Sequence, residues 1–271
     1  LNPSVISGND VLSVSHLSKA FDDNTLFTDI SFDIKRGERV ALIGNNGTGK
    51  TTILKIINDI LPADSGEIKL GSKVTIGSKV HIGYYDQEHH VLDPDKTLFD
   101  ELQDAYPDLN NTQIRNTLAA FLFTNDDVFK YIRDLSGGER GRVSLAKLML
   151  SNANFLILDE PTNHLDMVSK EILENALNSY TGTVLYVSHD RYFINTTATR
   201  IIELVGQTTV NYIGNYDYYI EKKDALTAAA LAGKPADSSS AVSAAQKNAQ
   251  KESAKADWKQ SKEEQALLKK K

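Results

Sequence analysis

Gly44-Asn45-Asn46-Gly47-Thr48-Gly49-Lys50-Thr51 has the residue types and spacing to hold a polyphosphate. Glycines let the main chain curl until successive N–H groups point at one anion. The pattern G-x-x-x-x-G-K-[ST] is met at every position, which assigns Lys50 to the β- and γ-phosphates and the Thr51 hydroxyl to Mg²⁺, with Thr52 beside it. A second group is the carboxylate pair Asp159-Glu160, delivered by the apolar run Phe155-Leu156-Ile157-Leu158. Alone, an acidic pair at a strand end is ordinary. Downstream of a phosphate loop it suits Asp159 holding Mg²⁺ through water and Glu160 polarising an attacking water. The third is Leu135-Ser136-Gly137-Gly138-Glu139, where Ser136 caps a helix and two glycines open a further anion site.

These groups need elements that hold them. Val40-Ala41-Leu42-Ile43, Phe155-Leu156-Ile157-Leu158 and Val184-Leu185-Tyr186-Val187 are continuous apolar runs, as strands buried on both faces require. Helical patterns over Thr51 to Ile60, Gly141 to Ser151 and Lys170 to Ser179 lie among them, which predicts a parallel α/β sheet. Leu12-Ser13-Val14-Ser15 and Ile30-Ser31-Phe32-Asp33-Ile34 alternate as half-buried strands do. Thr97 to Arg133 reads as a helical insert. Ile201 to Leu204 and Thr208 to Ile213 flank Gly206-Gln207 as a final hairpin. Gly71 to Ile76 is nearly repeated as Gly77 to Ile82, a hairpin or local duplication. From Ala225 onward Ala, Ser, Lys and Gln dominate, and the segment reads as linker and the start of a C-terminal extension, largely disordered or helical, with Ser253 to Lys271 the candidate helix around Trp258 and Leu267-Leu268.

The chain has 271 residues, 41% hydrophobic and 24% charged, enough for one large domain with a sizeable core. Its net charge of −6 argues against nucleic-acid binding by the chain as a whole. Residues 221–271, however, carry eleven Lys against seven Asp/Glu, so a basic tail follows an acidic body. No cysteine is present, which excludes disulfides, thiolate metal sites and Cys nucleophiles and fits a cytoplasmic location. No apolar run approaches the ~20 residues that span a bilayer, so no membrane contact is expected. The opening Leu1-Asn2-Pro3 reads as the start of a piece of a longer polypeptide.

A phosphate loop, then Leu-Ser-Gly-Gly-Glu, then an acidic strand end, in that order, resembles the ATP-binding cassette (ABC) superfamily. The resemblance implies a P-loop NTPase fold: a parallel core sheet, an antiparallel β subdomain and a helical subdomain over about 95–140. It implies domain limits of 11–224, with 1–10 and 225–271 as linkers. It also implies that Leu135 to Glu139 bind the ATP held by a partner cassette. Gln87 sits where the family's Mg²⁺-contacting Gln is expected, His189 resembles the switch histidine of the γ-phosphate, Asp166 matches the loop crossing the dimer interface, and Phe21 occupies the adenine-stacking position.

Within that family, Asn163-His164-Leu165-Asp166 and Glu139-Arg140 resemble the ABC-F branch more than a transporter ATPase subunit, which shares the same chemistry. Ser188-His189-Asp190-Arg191-Tyr192-Phe193 and Gly214-Asn215-Tyr216-Asp217-Tyr218-Tyr219 match phrases of that branch too. It implies a soluble ATPase with two cassettes per chain that acts at the ribosome, as translation factor or antibiotic-protection protein. The present chain would be its second cassette, turning over poorly without a partner cassette, which is either the first one in the same chain or a second copy of this piece.

Overall fold

A computed structural model describes residues 6–22, 24–71, 80–85, 92–163 and 165–231. Strands β1 (Asp10–Phe21), β2 (Asn24–Lys35) and β4 (Ser65–Leu70) form an antiparallel sheet in the order β2-β1-β4. A larger sheet holds β3 (Arg39–Gly44), β5 (Ile82–Tyr85), β6 (Phe155–Asp159), β7 (Thr183–Val187), β8 (Arg200–Val205) and β9 (Thr208–Tyr212). Its order is β5-β6-β7-β3-β8-β9; neighbours run parallel as far as β8, and β9 closes the sheet antiparallel. The helices are α1 (Lys50–Ile57), α2 (Leu98–Ala105), α3 (Asn111–Ala120), α4 (Gly137–Leu150), α5 (Met167–Ser179), α6 (Arg191–Thr197) and α7 (Tyr216–Leu231).

The apolar runs explain the large sheet. Every residue of β6 and β7 is buried, because both faces of the sheet are covered. Side chains alternate across each strand, so neighbours enter different cores. Val40, Leu42, Ile157 and Leu185 pack with Ile53 and Leu54 of α1 and with Val14, Leu17 and Ile34 of the antiparallel sheet. Ala41, Leu156, Leu158 and Tyr186 pack on the other face with Val143 and Ala146 of α4 and Leu173 and Leu177 of α5. The carboxyl ends of β3, β6 and β7 therefore converge, and ligands of open α/β sheets bind at such ends.

The expected insert contains α2, α3 and two 3₁₀ turns over Asn125–Phe129 and Ile132–Asp134. Its helices are capped locally: Thr97 Oγ1 accepts from Asp100 N, and Asn110 and Gln113 form a reciprocal capping box. An isolated bridge between Thr97 and Tyr131 draws the ends of the insert together.

The structure describes a part of each expected linker. Within 1–10, Ser7 is buried and its carbonyl accepts from Arg36 Nη1 at 3.0 Å, while Arg36 N donates to Asn9 O at 2.9 Å. At the other end α7 continues past Asp224 to Leu231. The Thr227 hydroxyl lies 3.0 Å from that of Tyr212, and Leu226 and Ala230 pack against the core. A helical segment is one of the two forms expected for this stretch, and a few contacts suffice to seat an alanine-rich helix that is already started. The rest of the tail, with Trp258 and Leu267-Leu268, lies outside the described residues, as does most of the near-repeat (72–79); its last residue, Ile82, opens β5. No helix among the described residues is long and apolar enough to cross a membrane.

Candidate nucleotide-binding site

The chain leaves β3 through two conformations that glycine tolerates. Gly44 has φ +152°, and a Cβ there would lie 2.6 Å from the Leu204 carbonyl oxygen of β8. Gly49, at φ +99°, ends the loop, and its Cβ would lie 3.0 Å from the Phe27 ring. Thr48 Oγ1 donates to Asn45 O at 2.9 Å and tightens the turn between them. Lys50 opens α1 and is buried; its Nζ donates to the carbonyls of Gly44 (3.0 Å) and Asn45 (2.9 Å). Burial pulls the Lys50 pKa below the ordinary lysine value, against the opposing charges of Glu160 and Asp159.

Thr51 Oγ1 donates to Asp159 Oδ1 at 3.2 Å, so the start of α1 and the end of β6 meet. Asp159 is buried. A hydroxyl and a carboxylate in contact are a fitting donor set for Mg²⁺, which takes one or two protein oxygens and completes its shell with phosphate oxygens and water. Among the described residues no group of three His, Cys, Asp or Glu could hold a metal ion.

Glu160 follows Asp159 with φ +49°, a left-handed conformation uncommon for a residue with a side chain. Its N–H donates to Val187 O at 3.0 Å, which ties the ends of β6 and β7. His189 grips its carboxylate from two sides: the backbone N–H donates to Oε2 at 3.3 Å, and ring Nε2 lies 3.2 Å from Oε1. Burial raises the Glu160 pKa, and the His189 contacts oppose it. The His189 side chain is itself 55% exposed, so solvent reaches this wall of the site.

Phe21, Asn46, Gly47, Gly49, Lys50, Thr51, Thr52, Glu160 and His189 line one cleft. Phe21 stands at its mouth, 45% exposed at the tip of the β1–β2 hairpin, with Lys19 Nζ 5.2 Å from its ring centroid. Asn24, Leu26 and Asn163 also line the cleft and were missed by the sequence reading. Asn163 stood inside a quoted motif, but nothing in its type marked it as facing the loop. Gln87 lies outside the described residues.

Leu135 to Glu139 do not line this cleft. Leu135 is buried and anchors the turn, while Ser136 and Gly137 face solvent at the start of α4. Ser136 Oγ donates to Glu139 Oε2 at 2.7 Å, and Ser136 N donates to the same oxygen at 2.8 Å. Glu139 N donates back to Ser136 Oγ at 3.3 Å. This capping box lets the helix start at Gly137 rather than at Gly141, where the hydrophobic pattern begins. Asp166 caps α5 through a 2.7 Å bond from Ser169 N. Arg142 of α4 joins the two helices: its Nη1 donates to Ser169 Oγ at 2.6 Å and lies 3.8 Å from Asp166 Oδ2.

The sequence profile described as "ABC transporter" matches residues 27–163, a span running from β2 through the phosphate loop to Asn163. The chain belongs to the ATP-binding cassette family. The curated relatives that the chain matches are named for ATP binding or as members of the F family. YdiF of Bacillus subtilis (strain 168), named for ATP binding, is 54% identical over 80% of this chain and 33% of its own length. ABC transporter F family member 5 of Arabidopsis thaliana is 40% identical over 82% of this chain and 32% of its own. ATP-binding protein Uup of Escherichia coli (strain K12) is 41% identical over 78% and 33%. The cassette thus spans about a third of the curated relatives it matches. A solved structure described as a metal-chelate type ABC transporter in an inward-facing conformation shares the fold, with a TM-score of 0.60 at 22% identity over 77% of this chain and 84% of that one.

Proposed function

We propose that this chain is one cassette, the second, of a two-cassette ATPase that acts at the ribosome, and that its ATP is enclosed jointly with the other cassette. The observation that carries the shared site is the position of Ser136: it stands outside the cleft that Lys50, Glu160 and His189 line, and it faces solvent. A phosphate held by the Lys50 loop needs a Ser136 from elsewhere to close over it.

In this reading Phe21 stacks on the base and the Gly44 to Lys50 amides cradle the phosphates. Lys50 exchanges its loop carbonyls for phosphate oxygens. Thr51 and Asp159 hold Mg²⁺, which when bound neutralises charge on the phosphates. Glu160 accepts a proton from the attacking water as its oxygen bonds to the γ-phosphorus and the bond to the β-bridging oxygen breaks. Its raised pKa makes it a better acceptor than an exposed carboxylate. His189, already on Glu160, holds it in line and follows the γ-phosphate. Asp166 and Arg142 tie the interface loop to the signature helix, so closure at one reaches the other. A site completed only on closure couples hydrolysis to that motion.

The ribosomal role rests on the branch-specific spelling around Asn163 to Asp166. The test uses the intact protein with Glu160→Gln, incubated with ATP and separated by sedimentation. The expected result is ATP-dependent movement with ribosomes. Sedimentation with membranes instead would sink the ribosomal reading and favour a transporter subunit.

A further inference from the structure

A second cavity of about 240 Å³, called the rear cavity below, borders the phosphate loop at Ile43, Gly44 and Asn45, where the nucleotide cleft is lined by Asn46, Gly47 and Gly49. Asn45, Ser188, His189, Arg191, Tyr219 and Lys223 line it, and its walls are mostly polar. The partition between the two spaces is thin. His189 lines both. Gly44 and Asn45 line the rear cavity, and their carbonyl oxygens are the ones that Lys50 grips from within the loop.

The rear cavity is positively charged. Arg191 has no hydrogen-bonding or ion-pair partner among the described residues. Lys223 Nζ is 3.4 Å from Glu203 Oε1, the carboxylate facing it. That carboxylate is already served by Tyr219 (2.8 Å), Tyr212 (2.9 Å) and Thr227 (3.3 Å). Two cations against one satisfied carboxylate leave room for an anion. The volume far exceeds the ~10–15 Å³ that one water needs, so a hydrated tetrahedral anion fits.

We propose that this rear cavity takes up the inorganic phosphate released by hydrolysis, and that Arg191 and Lys223 draw it past His189. The inference rests on ATP cleavage in the front cleft as read above. Its logic is geometric: the other cassette covers the γ-phosphate from the front, whereas the rear cavity is built from this cassette alone. His189, more than half exposed, is the wall that must turn.

The test is a single turnover of ATP by the intact two-cassette protein. Cleavage is followed by acid quench, and free phosphate by a fluorescent phosphate-binding sensor. Arg191→Ala and Lys223→Ala are expected to leave cleavage unchanged and to slow the appearance of free phosphate about tenfold, the effect of one lost charge-assisted hydrogen bond. Arg191→Lys should recover most of the rate, which a merely structural defect would not. Melting temperature is measured alongside, and Arg191→Ala, which removes no internal partner, should leave it unchanged. Phosphate appearing as fast as cleavage in both alanine variants would overturn the exit route while leaving the ATPase reading intact. Absence of cleavage in the unaltered protein would instead overturn the reading beneath it.

Discussion

Glu203 offers a demanding check of how the nucleotide loop is braced. It is 5% exposed on β8 and pairs in register with Ile43, the residue before the loop's first glycine. Its oxygens accept from the hydroxyls of Tyr212 and Tyr219, which are both buried. Glu203→Ala leaves two phenols in the core without that acceptor. Hydrogen bonds to a charged group contribute about 1.5–3 kcal/mol each. The Thr227 hydroxyl, 3.0 Å from that of Tyr212, can take over part of one bond. Lys223 is 44% exposed, so solvent can replace its contact with Glu203 in the variant. The net loss should therefore be about 3 kcal/mol, toward the low end for two such bonds. For a domain of this size, that lowers Tm by roughly 6–12 °C, at about 2–4 °C per kcal/mol. Glu203→Gln keeps one carbonyl acceptor and should lose about half as much. Calorimetry of the three proteins at one concentration and pH decides the matter. An alanine variant melting within about 1 °C of the parent would refute the idea that this carboxylate fastens α7 to the sheet.

Lys50→Ala should weaken nucleotide binding by more than about tenfold, read by titration with a fluorescent ATP analogue, since it removes a buried charge from the phosphate position. Glu160→Gln should leave that titration unchanged while cutting hydrolysis by about 10²–10⁴-fold in a steady-state assay of the intact protein; equal losses in both would assign it to binding. Ser136→Ala should cost about 1 kcal/mol of stability through the lost helix cap, and in the intact protein should reduce hydrolysis at the site of the other cassette more than at its own. Glu139, whose pKa is held below the ordinary value by the Ser136 hydroxyl and then its N–H, lends stability that is complete above the unfolded pKa near 4.5 and disappears as pH falls through the lower folded value. A pH series of melting curves should show that acid loss reduced in Ser136→Ala.

The parts of the site legible in the sequence were the local ones. A glycine-rich octet between a buried strand and a helix forms its loop from its own residues. The apolar runs of β3, β6 and β7 announced a sheet covered on both faces. What stayed hidden depends on residues far apart in the chain. Glu160 and His189 each looked functional, yet nothing in either segment stated that one grips the other across β6 and β7. Glu203 is a single acidic residue in the run Ile201-Ile202-Glu203-Leu204, and it acquires meaning only when α7 returns with Tyr219 and Lys223. The phrase Gly214-Asn215-Tyr216-Asp217-Tyr218-Tyr219 carries the tyrosine but not the carboxylate it meets. Helix α4 begins earlier than its hydrophobic period because its first turn is held by polar groups, which a pattern of apolar residues does not register.

The self-bonded start of α4 sets a threshold. Because the Glu139 carboxylate already occupies the Ser136 hydroxyl, a stray anion drifting over that surface meets a seated competitor of its own sign. It must outbid that competitor before it gains anything. A terminal phosphate pressed in by another folded body, its remaining charge already balanced there, has the advantage that a free ion lacks. In the proposed shared site, selectivity for a delivered ligand over a dissolved one would thus come from two side chains three positions apart.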